Sequence, residues 1–302
     1  MSTDSVITTT SLGRRFRGRW VVQDLDLEVP KGSVFGFLGL NGAGKSTTIR
    51  MLMGLLARHQ GDARVLGLDP GREPVEIKRR VGYVPEAPIF YDWMTIGQTL
   101  DFAACYRSKE WDRARADHLL AHFRLPRDAR INELSKGMKA KTSLVLAMAF
   151  NPELLVLDEP TSGLDPIARR EFIEGILAEY QESGRTVFVS SHIVSELAGL
   201  VDHVGILHEG RLLFAQTAEE FLAGLRRVRM DFEGPAPTDF RLSGLLTSRS
   251  NGRDAEAAVR SGDEKAVAAE VEALGARGFT IEPLPLEDAF IEVVRAAERG
   301  SV

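Results

Sequence analysis

"GLNGAGKSTT", Gly39 to Thr48, holds three glycines and one lysine. Ahead of it runs "SVFGFLG", Ser33 to Gly39, a short apolar stretch ending in glycine that reads as a buried strand. Behind it, from Gly44 to Leu56, the spacing is helical and contains no proline. The glycines therefore join a strand to a helix. Gly39-Leu40-Asn41-Gly42-Ala43-Gly44-Lys45-Ser46 has the spacing G-x-x-x-x-G-K-[ST] of a phosphate-binding loop. Glycine accepts positive φ and lets the backbone approach a ligand closely. The N–H groups of the loop, through Ala43 and on to Thr47, can then face phosphate oxygens at the positive end of the following helix. Lys45 is placed to reach the β- and γ-phosphates, and the Ser46 hydroxyl to ligate Mg²⁺.

Such a loop needs a carboxylate for its metal. "LLVLDEP" supplies one: four apolar residues and then Asp158 at the end of a strand. Asp158 is expected to hold Mg²⁺ directly or through water. Glu159 follows at once. A second acid there is poorly placed for packing and well placed to polarise an attacking water.

Further out, apolar runs recur at "ELLVLD" (Glu153 to Asp158), "TVFVSS" (Thr186 to Ser191) and "HVGILH" (His203 to His208). A helical pattern, "IARREFIEGILAEYQESG", separates the first two. Strand and helix alternate, which predicts an α/β fold with a parallel sheet. From about Met94 to Phe150 the pattern is helical, as in an insertion into that core. After about Leu225 the character changes. "DFEGPAPTDF" reads as a boundary or loop. "DEKAVAAEVEALGARG" then reads as a helix, "FTIEPLP" as a strand and "LEDAFIEVVRAAERG" as a last helix, so 226–302 is expected to be a small α+β appendage. Every phosphate-handling motif precedes it.

Composition narrows the function classes. The chain of 302 residues has room for about two domains. Its net charge of -5 argues against nucleic-acid binding as the main task. One cysteine, Cys105, excludes a disulfide framework and suits a reducing compartment. Cys105 itself reads as a small buried hydrophobe. No run of about 18 apolar residues suggests a membrane span, and "MSTDSVITTT" does not read as a signal peptide.

With these residues in view, the sequence resembles the ATP-binding subunits of ABC (ATP-binding cassette) transporters over about residues 5–225. "LSKGMK", Leu134 to Lys139, resembles the family's signature. "SGLD", Ser162 to Asp165, matches its D-loop, and "SSH", Ser190 to His192, its switch histidine. "GYVPE", Gly82 to Glu86, stands where the Q-loop belongs. Phe16 lies 29 residues before Lys45, where the family carries an aromatic that stacks on adenine. The resemblance implies an ATPase domain over 1–225, with its helical subdomain at about 94–150 and an accessory domain at 226–302. It also implies a dimer with ATP between subunits. Ser135 and Gly137, opening a helix, would face the γ-phosphate held by the second subunit. Asp165 would belong to the same interface, and His192 would touch the γ-phosphate and position the water.

Two positions depart from the family pattern. Lys136 and Met138 stand where the commonest signature has glycine and glutamine, and "LSKGM" looks like a mark of bacterial exporter-type subunits. Glu86 replaces the Q-loop glutamine. A carboxylate there could still ligate Mg²⁺, and its charge could raise the pKa of Glu159.

The stretch "APIFYDWMT", Ala87 to Thr95, puts Ile89, Phe90, Tyr91, Trp93 and Met94 where the family receives a membrane subunit, and it reads as a partly exposed patch. His118 and His122 share a helix face but lack a third metal ligand. The resemblance thus predicts a peripheral subunit on the cytoplasmic face of the cell membrane, powering a separately encoded permease. The expected cargo is an exported drug, antibiotic, lipid or polysaccharide. The rival is a soluble ABC ATPase acting on ribosomes or DNA. Such proteins usually carry two cassettes or long coiled-coil insertions, whereas this chain shows one cassette and no heptads. A third reading, a regulatory subunit without hydrolysis, is not required, because Glu159 and His192 are both present.

Overall fold

Strands β1 (Ser5–Phe16) and β2 (Arg19–Pro30) pair antiparallel through several register shifts. The computed structural model describes residues 5–107, 109–180 and 184–300. The chain then enters β3 (Val34–Leu38), the glycine loop, and helix α1 (Lys45–Leu52). Strand β4 (Gln60–Val65) returns to β1, completing a three-stranded sheet in the order β2-β1-β4.

Helix α2 (Pro74–Arg80) leads into β5 (Val81–Val84). The expected helical stretch follows as α3 (Ile96–Tyr106), α4 (Arg113–His122), a 3-10 turn (Ile131–Glu133) and α5 (Lys136–Met148). Helix α3 starts at a capping box in which the Thr95 hydroxyl accepts from the Gln98 N–H and the Gln98 side chain accepts from the Thr95 N–H. Next come β6 (Leu154–Asp158), α6 (Pro166–Tyr180), β7 (Thr186–Ser191), a 3-10 turn (Val194–Glu196), β8 (His203–His208) and β9 (Arg211–Thr217).

The second sheet has six strands in the order β5-β6-β7-β3-β8-β9. From β5 to β8 the pairings are parallel. Every residue of β6 and β7 is buried, as expected for strands covered on both faces. Phe188 stacks on Phe35 at 5.6 Å and tilts against Phe37 at 5.3 Å, tying β7 to β3 through the core. Register is what matters for chemistry: Leu38 pairs with Ser191 and Asp158 pairs with Ser190. The carboxyl ends of β3, β6 and β7 are therefore flush, and the loops leaving them meet at one edge, where open α/β sheets place their sites.

Two compact units divide between Ala215 and Gln216. The second is built from α7 (Ala218–Leu222), β10 (Leu225–Asp231), β11 (Leu245–Asn251), β12 (Asp254–Arg260), α8 (Glu264–Ala273), β13 (Gly278–Pro283) and α9 (Leu286–Glu298). Its antiparallel sheet runs β11-β12-β10-β13. "DFEGPAPTDF" does follow a strand as irregular chain, yet Phe232, Ala236 and Phe240 from it are buried in this unit's core. The helix, strand and helix read from sequence are α8, β13 and α9; β10, β11 and β12 were not anticipated.

The expectation for Cys105 is corrected: its side chain is exposed on α3, with Sγ 3.3 Å from the Asp101 carbonyl. Its helix face looks outward, which residue type alone does not reveal.

Candidate active site

The glycines of the loop serve different ends. Gly44, the N-cap of α1, has φ 109, and a Cβ there would lie 2.7 Å from the Val21 carbonyl oxygen. At Gly39 a Cβ would come within 2.5 Å of the Leu207 carbonyl oxygen. Both positions need glycine for close packing, the second without any unusual φ. Asn41 and Gly42 are exposed at the tip, Ala43 is buried, and Ser46 and Thr47 are half-buried on the first turn of α1. The loop's backbone is thus wedged against β2 and β8 while its tip stays open to a ligand.

Lys45 is buried, with 5 % of its side chain exposed. Its Nζ donates to the Gly39 carbonyl at 2.6 Å and the Leu40 carbonyl at 3.2 Å, and pairs with Glu159 Oε1 at 3.0 Å. The loop has folded around its own cation, which is where an anionic ligand would be met.

Asp158 sits at the end of β6, 1 % exposed. Its Oδ1 accepts from the Ser46 hydroxyl at 2.9 Å and the Ser190 hydroxyl at 3.1 Å. Its Oδ2 is buried and has no hydrogen-bond partner. Burial pushes the carboxyl up, opposed by the two serine hydroxyls, while the charge of Glu86 adds to the rise. An orphaned carboxylate oxygen beside a serine hydroxyl is the oxygen donor set that Mg²⁺ prefers, so these residues fit that ion. Glu86 is exposed beyond β5 and forms no hydrogen bond with this group; what reaches Asp158 is its field.

Glu159 has φ 47, an unusual left-handed backbone for a residue with a side chain. The strained turn is held by the Ser190 hydroxyl, which accepts from the Glu159 N–H at 3.0 Å. Glu159 Oε2 lies 2.6 Å from His192 Nδ1 and accepts from the His192 N–H at 3.3 Å. An ionised carboxylate cannot donate, so Nδ1 carries the hydrogen and Nε2 is left for a ligand. Lys45, Glu159 and His192 form one chain of contacts next to Asp158 and Ser46. A carboxylate held between an ammonium and an imidazole can accept a proton from water, and both neighbours can stabilise developing phosphate charge.

The remaining expected residues stand apart from this cluster. Ser135 is exposed and caps α5, its Oγ accepting from the Met138 N–H at 3.2 Å; Gly137 is half-buried behind it. Asp165 is exposed and caps α6, accepting from the N–H groups of Ile167 and Ala168, each at 3.0 Å. Those amides, Ala168's foremost, hold its carboxyl below the usual range. Phe16 ends β1, 43 % exposed, with the Arg14 guanidinium 4.7 Å from its ring centroid. The rings of His118 and His122 lie 6.3 Å apart, with His118 Nε2 3.0 Å from Glu179 Oε1, and no cluster of three or more His, Cys, Asp or Glu side chains fit to hold a metal occurs among the described residues. Sequence reading missed Ser190 as the hydroxyl that orders both acids. It also missed Thr161, Arg169 and Glu196, which surround the turn after Glu159. Only the adjacency of Ser190 to His192 hinted at any of them.

Residues 22–162 match the model of the ABC transporter family. The chain is also 41 % identical to the bacitracin transport ATP-binding protein BcrA of Bacillus licheniformis, over 69 % of each chain. The chain belongs to the ATP-binding subunits of ABC transporters. It is 35 % identical to the daunorubicin/doxorubicin resistance ATP-binding protein DrrA of Streptomyces peucetius, over 72 % of this chain and 67 % of that one. Among solved structures, an ATP-binding subunit of an ABC transporter superposes with a TM-score of 0.65 at 30 % identity, covering 72 % of this chain and 92 % of the other. As a member of this family the chain is an ATPase that binds nucleotide and works with a membrane permease. Among its described residues no helix is long and apolar enough to cross a membrane.

Proposed function

We propose that two copies of this ABC subunit close around two ATP–Mg²⁺ and, by hydrolysing them, drive a separately encoded exporter permease from the cytoplasmic face of the membrane. In this reading Lys45 and the amides of Gly39 to Thr47 hold the phosphates, Ser46 and Asp158 hold Mg²⁺, and Glu86 contributes charge or a water-mediated ligand. Glu159 activates the water, His192 contacts the γ-phosphate and Phe16 stacks on adenine. The observation that carries it is the split of the site. Lys45, Asp158, Glu159 and His192 stand together on the P-loop side, while Ser135, Gly137 and Asp165 share no hydrogen bond with them among the described residues. A second copy would bring them opposite. In this reading 1–225 is the ATPase domain and 226–302 an accessory domain without a role in nucleotide chemistry, although the compact units themselves divide earlier, between Ala215 and Gln216.

The full-length Glu159→Gln protein is expected to run as a monomer alone and to double in mass with ATP and Mg²⁺, measured by light scattering. A mass that stays monomeric even with the permease present would remove the sandwich.

The permease is expected on the patch after β5. Ile89 is 96 % exposed, Trp93 68 % and Tyr106 78 %, and Tyr91 and Phe102 meet edge-on at 5.8 Å between them. Met94 departs from the expected patch: it is buried and anchors the segment. Exposed apolar clusters of this kind mark interfaces. Replacing both Ile89 and Trp93 with aspartate should abolish co-purification with the permease from detergent-solubilised membranes and leave the subunit's own ATPase rate intact. Undiminished capture would place the contact elsewhere. Export is favoured over import by the kinship with bacitracin-transport and drug-resistance subunits; a drug, antibiotic, lipid or polysaccharide is the cargo class that fits.

A further inference from the structure

The turn after Glu159 and the turn after His192 are joined twice. The inner link is Glu159 to His192, 2.6 Å. The outer link lies two residues further along one turn and four along the other: the Thr161 hydroxyl donates to Glu196 Oε2 at 2.6 Å. Glu196 is an acid with only 6 % of its side chain exposed. Its other oxygen, Oε1, pairs with the Arg169 guanidinium at 2.6 Å. Arg169 in turn donates to the Leu164 carbonyl at 3.1 Å, next to Asp165. One buried carboxylate thus ties together the segment after the acid, the segment after the histidine, and the loop leading into α6. None of these three groups handles nucleotide in the reading above. Burial raises the Glu196 carboxyl; Thr161, Arg169 and His192 oppose the rise, and the charge of Glu159 adds to it.

We propose that Glu196 is a positioning residue: with Thr161 and Arg169 it locks the His192 turn to the Glu159–Asp165 turn, so that His192 stays on the Glu159 carboxylate during hydrolysis. This rests on Glu159 and His192 being the catalytic pair. The physical case is a lever. His192 starts a short, half-buried turn whose far end, Val194–Glu196, is tied down by the Glu196 carboxylate. Release of that anchor lets the imidazole drift from Glu159, and small misplacements of catalytic groups are costly in rate. The phosphate cradle of Gly39 to Thr47 makes none of these contacts, so nucleotide affinity stays as it is.

The test uses the full-length chain, with steady-state phosphate release against ATP concentration and nucleotide affinity from calorimetric titration. Glu196→Gln keeps the shape but turns an amide N–H₂ toward Thr161 or Arg169, both donors. It should lower kcat about 10- to 100-fold with KM and ATP affinity unchanged within about twofold. Glu196→Asp, retaining the charge with a shorter reach, should recover part of the rate. Glu196→Leu with Arg169→Met removes both buried charges together. Swapping a buried ion pair for apolar groups is often neutral for stability. This pair should keep the thermal midpoint and still be slow. An unchanged kcat in folded Glu196→Gln overturns the proposal, as does recovery of the full rate in the apolar pair. The apolar pair decides the matter if the single variant does not fold. Glu159→Gln is the control for the underlying reading. If it is inactive while Glu196→Gln is fully active, only the positioning role fails; if Glu159→Gln hydrolyses normally, the assignment of the catalytic pair fails first.

Discussion

Glu159→Gln is expected to stop ATP hydrolysis while sparing, or tightening, ATP binding. The amide is close to isosteric but a very poor base. General-base catalysis contributes roughly 10²–10⁴-fold, about 3–5 kcal/mol of barrier. The structure adds a reason for tighter binding. Glu159 Oε1 lies 3.0 Å from Lys45 Nζ, both side chains being buried. Without the carboxylate charge, Lys45 is freer to turn to the β- and γ-phosphates, and repulsion between Glu159 and the triphosphate is gone. The variant should therefore accumulate in the ATP-bound closed dimer. Glu86 is the complication, because it is a second acid whose field reaches Asp158. The measurement is phosphate release by Glu159→Gln, Glu86→Gln and the double variant. If Glu159→Gln keeps more than about a tenth of the activity and only the double variant is dead, Glu86 shares the role of base.

Lys45→Ala should lose most ATP affinity, by about 10- to 150-fold. That is the effect of removing one charge-assisted hydrogen bond of roughly 1.5–3 kcal/mol. Lys45 is the cation at the heart of the cradle, aimed by the Gly39 and Leu40 carbonyls. The substitution carries a second effect absent from exposed lysines. It leaves Glu159 buried with His192 as its remaining partner, and breaking a buried ion pair from one side costs up to about 3–5 kcal/mol. The unliganded variant should melt earlier than the parent protein, and excess ATP should recover less of that loss than it does for Glu86→Gln. Calorimetric titration showing parental affinity would refute the assignment of Lys45.

The phosphate loop, the acid pair and the alternation of strand and helix were legible because they are local. A glycine-rich turn between a strand and a helix, and an acid closing a fully apolar run, carry their meaning within a few residues. The parallel strands read easily for the same reason: β3, β6, β7 and β8 are buried on both faces and so spell continuous apolar runs. The edges of the molecule did not. Strands β1 and β2 pair through repeated register shifts, which spoil the two-residue alternation. Strand β12 carries three alanines, and β11 two serines and an arginine, so each has a single β-branched residue, Val259 and Thr247, too few to mark a strand.

By itself, then, the sequence of this chain determined the fold class and the family, and it marked the loop and the acid pair proposed to meet phosphate and metal, because spacing along a short stretch of backbone is enough to specify such motifs. Only the tertiary structure decided their partners. It is strand register, Asp158 opposite Ser190 and Leu38 opposite Ser191, that puts one serine hydroxyl between two acids more than thirty residues away in the chain. It is packing that turns Cys105 outward and Met94 inward, and that buries Glu196 against Thr161 and Arg169. A side chain's burial depends on what folds over it, and residues distant in sequence supply that cover.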